Sequence, residues 1–414
     1  MKLPAIRYVE AFPVEHEGNQ YICLRDPEGW VQAKLLLAPH AFVVASCLDG
    51  ISTAADIQDQ FRRQFGGETL PLEDIMSVVN YLDEQGFLHT GKFEEKVNTI
   101  KNTFNNNHSR PAFLAGSGYP AEPADLRSFI DDMFTGQGGP GKPPAKAGSA
   151  KPLRVLIAPH IDFQRGGHTY AHAYHKFSQH GKPEVVFIFG VAHAAPLVPF
   201  ILTGKDFETP LGTVKTDQEI VLRLVEACDW DPFEHELVHR TEHSIEFQAV
   251  MLSYLFGTDI KIVPILCANF ITDPEYHLDP KPIDPSGLEN INRFLDTCRD
   301  ITKDSGRRAA IIAAADLAHV GKCFGDSFDI TDDIIRDIED RDREDLQYVL
   351  QGRPEKFYQA VLKDRNKRRV CGLNCIYSAM RAADIAGDQG CLLEYNYAHD
   401  PAGGIVSFAG IAFS

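Results

Sequence analysis

Two short apolar runs, each closed by a histidine, constrain this chain more than any other feature. Residues 154–158 read Arg-Val-Leu-Ile-Ala and lead into Pro159-His160, and residues 185–189 read Val-Val-Phe-Ile-Phe and lead into Gly190-Val191-Ala192-His193. Runs this short and rich in β-branched residues predict strands buried on both faces of a parallel sheet. A polar residue just past the carboxyl end of such a strand projects into the crevice where open α/β sheets bind ligands. A third run, Ala309 to Ala315, is expected to deliver Asp316 and His319 in the same manner. One strand-end histidine is unremarkable, but three strand ends carrying ionisable groups are costly unless used. Ala38-Pro39-His40 repeats the first tripeptide with no polar cluster around it and is assigned no function.

The chain has 414 residues, enough for about two or three domains. Its net charge of −17 argues against a general nucleic-acid binder. No apolar stretch is long enough for a membrane span, and the N-terminal residues lack the apolar core of a signal peptide. The nine cysteines are odd in number and widely spaced. That pattern predicts reduced thiols and a cytoplasmic protein.

Residues 1–92 read as one unit. A strand pair is expected at Tyr21–Asp26 and Trp30–Gln32, around a Pro-Glu-Gly turn. Helices are expected near Pro39–Leu48, from Ser52 or Thr53 to Phe65, and over Leu72–Gln85, where Gly86 stops the last and Phe87-Leu88 forms a short strand. Residues 93–110 read as a polar connector. Residues 111–414 read as an α/β domain with a mainly parallel sheet and flanking helices, interrupted by a Gly/Pro-rich flexible loop at 136–151.

Five clusters carry possible chemistry: Pro159-His160-Ile161-Asp162 with Arg165-Gly166-Gly167; His193; Glu242-His243-Ser244-Ile245-Glu246; Asp316-Leu317-Ala318-His319; and Cys371-Gly372 before a helix starting near Leu373. His160, His193 and a Cys371 thiolate would make a His₂Cys set with open positions, as in catalytic metal sites. At a helix start, the Cys371 thiol is expected to have a lowered pKa and is equally a candidate nucleophile. Ser244 is the expected cap of the helix that follows the Glu-His pair. No P-loop, Gly-x-Ser-x-Gly or strand–helix Gly-x-Gly-x-x-Gly occurs.

From about residue 110 to 414 these clusters resemble the Memo family. The motifs are Ala115-Gly116-Ser117-Gly118-Tyr119-Pro120, Ala158-Pro159-His160, Gly190-Val191-Ala192-His193, Thr209-Pro210-Leu211-Gly212, Glu242-His243-Ser244-Ile245-Glu246, Asp316-Leu317-Ala318-His319 and Cys371-Gly372. The resemblance implies a fold similar to the class III extradiol dioxygenases. It implies metal ligation by His160, His193 and Cys371, with Fe(II) first and Cu or Zn as alternatives. Asp316, His319, His243 and Glu242 would be the catalytic side chains around the metal. Residues 1–92 resemble a PqqD-like winged-helix domain. The whole chain is similar to protein B of the AmmeMemoRadiSam system, which implies radical-SAM and AMMECR1-type companions and a peptide bound by residues 1–92. Ala194, Ala315 and Ala318 depart from the family pattern, so no substrate is carried over. The function implied is redox or dioxygenase-like. The alternatives are a non-catalytic adaptor that keeps the family pocket, and a metal-independent enzyme using Cys371 as nucleophile and His319 as base.

Overall fold

Neighbouring residues of one strand feed opposite cores. Val185, Phe187 and Phe189 pack into one apolar layer, and Val186 and Ile188 pack into another. This is why the run is apolar at every position instead of alternating. The computed structural model describes residues 1–144, 151–194, 196–270, 285–304 and 306–414. Residues 145–150 of the expected 136–151 loop lie outside the described residues. The chain divides into two units, Met1–Asn106 and Asn107–Ser414.

The first unit contains β1 (Glu10–His16), β2 (Asn19–Arg25), β3 (Leu35–Leu37), α1 (Pro39–Ser46), α2 (Ala54–Gln64), α3 (Leu72–Gln85) and α4 (Gly91–Asn106). Its sheet is antiparallel in the order β1-β2-β3. Contrary to expectation, Tyr21–Asp26 does not pair with Trp30–Gln32. The partner of β2 is β1, across a two-residue turn in which Glu17 and Gly18 both have positive φ, 51° and 76°. Pro13 had masked β1, because proline weakens a strand reading unless the strand lies at an edge, where β1 does lie. Trp30–Gln32 instead follow a turn closed by the Asp26 carboxylate, which accepts the N–H groups of Glu28 and Val31. Phe87-Leu88 forms no strand, although Leu88 makes a single bridge to Ile6. Thr53 and Asp56 form a capping box at the start of α2. Val44, Ile57, Ile75, Val79 and Leu82 share a core with Leu24, Leu35 and Leu37.

The second unit opens with β4 (Ser109–Arg110), α5 (Pro123–Thr135), β5 (Val155–Ala158), α6 (Phe163–Ser178) and β6 (Val185–Val191). It continues with β7 (Phe200–Leu202), β8 (Asp206–Thr209), β9 (Gly212–Thr216), α7 (Gln218–Val225), α8 (His243–Phe256), β10 (Lys261–Cys267), α9 (Glu289–Asp304) and β11 (Ala309–Ala314). It closes with β12 (Asp316–Gly321), α10 (Asp332–Leu350), α11 (Pro354–Leu362), α12 (Leu373–Ala382), β13 (Cys391–Asp400) and β14 (Gly404–Phe413). The sheet runs β12-β14-β5-β11-β6-β10-β9-β8-β4, with β13 on β14 and β7 on β10. Helices α5, α6 and α8 cover one face, and α7, α9, α11 and α12 cover the other. No helix among the described residues is long and apolar enough to cross a membrane.

The sheet is mixed rather than mainly parallel. Strands β5, β11, β6, β10 and β9 form a parallel centre. The hairpin β13–β14 turns back at Asp400–Gly403 and lays β14 antiparallel to β5 and to β12. As a result Asp316 does not simply end β11. It opens an antiparallel strand of its own, one residue later.

Candidate metal centre

His160 lies two residues beyond β5 and is 1% exposed. Its backbone N–H donates to Asp316 Oδ1 at 2.9 Å, and its Nδ1 lies 3.0 Å from the Ala314 carbonyl. A carbonyl only accepts, so Nδ1 carries the proton and Nε2 keeps a free lone pair. That lone pair faces the site: Cys371 Sγ is 3.4 Å from Nε2 and Asp316 Oδ2 is 3.7 Å from it.

His193 follows β6. Its N–H donates to Glu242 Oε2 at 2.9 Å, and its Nδ1 lies 3.1 and 3.0 Å from the two carboxylate oxygens. Glu242 therefore orients this ring as the Ala314 carbonyl orients His160. Glu242 is also the cap of α8, accepting the N–H groups of His243 and Ser244 at 2.8 and 3.1 Å. The expected cap, Ser244, lies two residues past the actual one. Its hydroxyl donates instead to the Val191 carbonyl, tying α8 to β6. Gly190 makes that approach possible, because a Cβ there would lie 2.6 Å from both Ile245 Cγ1 and Ser244 Oγ.

His243, the first residue of α8, stacks on His193 with ring centroids 4.8 Å apart and an interplanar angle of 14°. Its Nδ1 lies 3.3 Å from Glu242 Oε1. The His160 ring is 5.2 Å from that of His193 and 5.5 Å from that of His243. One nitrogen from each of the three lies within 4.8 Å of the others. Two nitrogens bound at about 2.1 Å can be at most about 4.2 Å apart, so a bound ion would draw the rings slightly inward.

The third nitrogen of this group comes from His243, a residue expected from the sequence to act in catalysis. Cys371, expected as the third ligand, sits beside the group against His160 Nε2. Burial pushes its thiol up, and the smaller effect of a hydrogen bond with His193 opposes this. The lowering expected from a helix start is thus reversed, because Cys371 precedes the capping Gly372 and is enclosed.

Burial likewise lowers His160 to about 3 and His243 to about 4, which keeps both rings neutral at ordinary pH. At His193 burial also disfavours the charge, but the Glu242 carboxylate, with help from Cys371, outweighs it and the net shift is upward. Glu242 pays a desolvation cost, yet His193, His243 and its N–H donors hold it well below the usual carboxylate range. Burial raises Asp316. His319 is lowered by burial, with Asp316 opposing. Its Nδ1 lies 3.2 Å from the Leu317 carbonyl, and the Arg369 backbone is a second hydrogen-bond partner of the ring.

The other sequence-singled groups are structural in their contacts. Asp162 caps α6 and pairs with Arg165 at 2.6 Å. Glu246 points away from the three histidines. It is fully buried, pairs with Arg110 at 2.5 Å, accepts the Leu114 N–H at 2.9 Å and bonds the Tyr119 hydroxyl. Arg110 in turn donates to the carbonyls of His239 and Glu242. Nothing local in the sequence announced this clamp, whose partners are more than a hundred residues apart.

The geometry defines an α/β protein with a histidine-lined centre at the carboxyl edge of its parallel strands. Residues 110–412 match the family model described as Memo-like protein, and the chain belongs to that family. A MEMO1 family protein of Aquifex aeolicus is 26% identical over 413 residues, covering 99% of both chains. One from Desulfurococcus amylolyticus is 27% identical over 309 residues, covering 73% of this chain and 98% of its own. A crystal structure of the uncharacterized protein JW3007 from Escherichia coli K12 aligns at 13% identity and TM-score 0.37 over 63% of this chain and 100% of its own, too loosely to bear on function.

Proposed function

We propose that this protein is a metal-dependent Memo-family protein that holds Fe(II), with Cu or Zn as the alternatives, and carries out redox or dioxygenase-like chemistry. The carrying observation is the convergence of His160, His193 and His243 within 4.8 Å, each ring with its Nδ1 against a protein acceptor. Three imidazoles suit a divalent first-row ion, and the arrangement leaves coordination positions open. A bound iron would supply Lewis acidity and electron transfer.

The chain's own groups supply the rest. Glu242 orients two of the imidazoles. His193 releases a proton when it becomes a ligand, so affinity falls as pH falls. His319 acts as acid and base beside Asp316. Cys371 is a further donor within reach of the ion. We place the protein in a reducing cytoplasm, which suits its free cysteines.

We further propose that residues 1–92, within the unit Met1–Asn106, form a winged-helix, PqqD-like module that receives a peptide along edge strand β1 by strand addition. The supporting feature is an antiparallel sheet followed by three helices with a common core. The companions would be the radical-SAM and AMMECR1-type proteins of the AmmeMemoRadiSam system. The extradiol-dioxygenase-like reading rests on the same family likeness.

Elemental analysis of anaerobically purified protein tests the reading. About one iron per chain is expected, with affinity falling roughly tenfold or more in His160→Ala, His193→Ala and His243→Ala. Equal stoichiometry and affinity in all three variants would rule the centre out. A Cys371→Ala protein that binds metal normally would assign the thiol to the surroundings of the ion. Metal bound without turnover of any substrate would favour an adaptor.

A further inference from the structure

The β12/β14 ladder slips between Asp316 and His319. Such a bulge re-aims a side chain, and it leaves main-chain N–H groups that need other partners. Here they are found. Ala318 N–H donates to Ser407 Oγ at 2.9 Å, and His319 N–H donates to the Arg368 carbonyl at 2.6 Å. Three residues beyond His319 N–H's acceptor lies Cys371, whose successor Gly372 donates its N–H to the Asp316 carbonyl at 3.1 Å. The segment 368–372 is therefore pinned at both ends to the segment 316–319.

Side chains lock this bracket. The Arg368 guanidinium pairs with Asp342 and Asp345, and Asp342 also accepts from Ser407 Oγ at 2.5 Å and Tyr395 Oη at 3.0 Å. Arg369 Nη1 donates to the His319 carbonyl at 3.2 Å, and its guanidinium bridges both oxygens of Asp326 at 3.0 and 2.7 Å. Asp326 closes the loop by accepting the Gly321 N–H at 2.9 Å. Arg369 has φ 52°, a left-handed conformation that a non-glycine residue keeps only where its surroundings hold it.

We propose that Arg368 and Arg369 are positioning residues that hold the His319 imidazole and the Cys371 thiol in one register at the site. This rests on the reading of those two side chains as working groups. Arg369 is the residue to test, because its side chain is 40% exposed and its loss leaves the core intact. Arg154→Ala is the control. Arg154 is equally exposed at 41%, and it also binds one carboxylate and backbone carbonyls.

The rate of Cys371 alkylation by iodoacetamide, resolved by mass spectrometry, and the His319 ring resonances by NMR are the readouts. Arg369→Ala should speed alkylation about tenfold, the low end of what orienting partners contribute. It should also move the His319 resonances. Arg369→Lys, which keeps the charge without the fork, should fall between it and the wild type. Arg154→Ala should leave both readouts unchanged. If Arg369→Ala alters neither readout, or Arg154→Ala alters both as much, the proposal is wrong. Zinc titration of the same proteins separates the two ideas: Arg369→Ala should still bind about one ion per chain. A failure of the histidine variants to lose metal would sink the metal reading while leaving the thiol rates to decide this one.

Discussion

Glu242→Gln is the most exacting perturbation of the centre, because it keeps shape while removing one acceptor oxygen and the negative charge. The carboxylate takes four N–H groups: two backbone donors from α8 on Oε1, the His193 backbone on Oε2, and His193 Nδ1 shared between them. An amide has one acceptor oxygen. If its NH₂ replaces Oε1, it confronts the His243 and Ser244 N–H groups. If it replaces Oε2, it confronts His193. The second arrangement is the easier, because Nδ1 can give up its proton and accept from the amide, which moves the proton to Nε2. That nitrogen then has no lone pair for a metal. Orienting partners of metal-bound histidines contribute about 10–100-fold in affinity, about 1.4–2.7 kcal/mol, and this substitution should fall at the upper end. The unpaired His193 backbone N–H should also cost about 1–3 kcal/mol of stability. Zinc competition against a fluorescent chelator, with urea unfolding of the metal-free protein, reads both quantities. Affinity within twofold of the wild type would refute the reasoning, since it would mean that Glu242 does not set the His193 tautomer.

Three further outcomes are expected. Glu246→Ala should destabilise the protein by about 3–5 kcal/mol in urea unfolding, because it leaves Arg110 charged and unpaired in the core. Gly190→Ala should cost about 1–3 kcal/mol and weaken metal binding, because its Cβ would push against Ile245 and Ser244 beside His243. Burial lowers His239 to about 3, so the folded protein keeps it neutral while the unfolded chain protonates it below its ordinary value of 6.5. Its contribution is complete above that value and is lost as pH falls toward 3, amounting to about 2 kcal/mol by roughly pH 5. Comparing wild type with His239→Gln in urea at about pH 5 and pH 7.5 should show a shallower pH dependence in the variant.

The parts of the fold that could be read in the sequence are those where one residue type has one use. A strand buried on both faces is apolar throughout, so β5, β6 and β11 were legible, and with them the places of His160 and His193. The hairpin Cys391–Phe413 ends in an equally buried, largely apolar run at Gly404–Phe413, but that run does not encode its own direction. Its arrival antiparallel to β5 depends on where the chain returns, and it turned a parallel sheet into a mixed one. Glu242 was legible as part of a motif, but its bonds to His193, 49 residues away, were not. The same distance problem hid His243 as the third nitrogen of the group. Its nearness to His160 comes from the packing of α8 on β6, which Gly190 and Ser244 set.

Glu242 and Glu246 lie four residues apart at the start of α8, yet their work is opposite in kind. Glu242 faces the histidines and sets a tautomer. Glu246 faces inward and fastens residues 110–119 through Arg110, Leu114 and Tyr119. Arg110 is also where the family match begins, and it reaches back to the Glu242 carbonyl at 2.8 Å. The clamp and the centre thus share one helix turn, so the opening segment of the family domain supports the helix that carries His243. Every group named in the centre belongs to Asn107–Ser414.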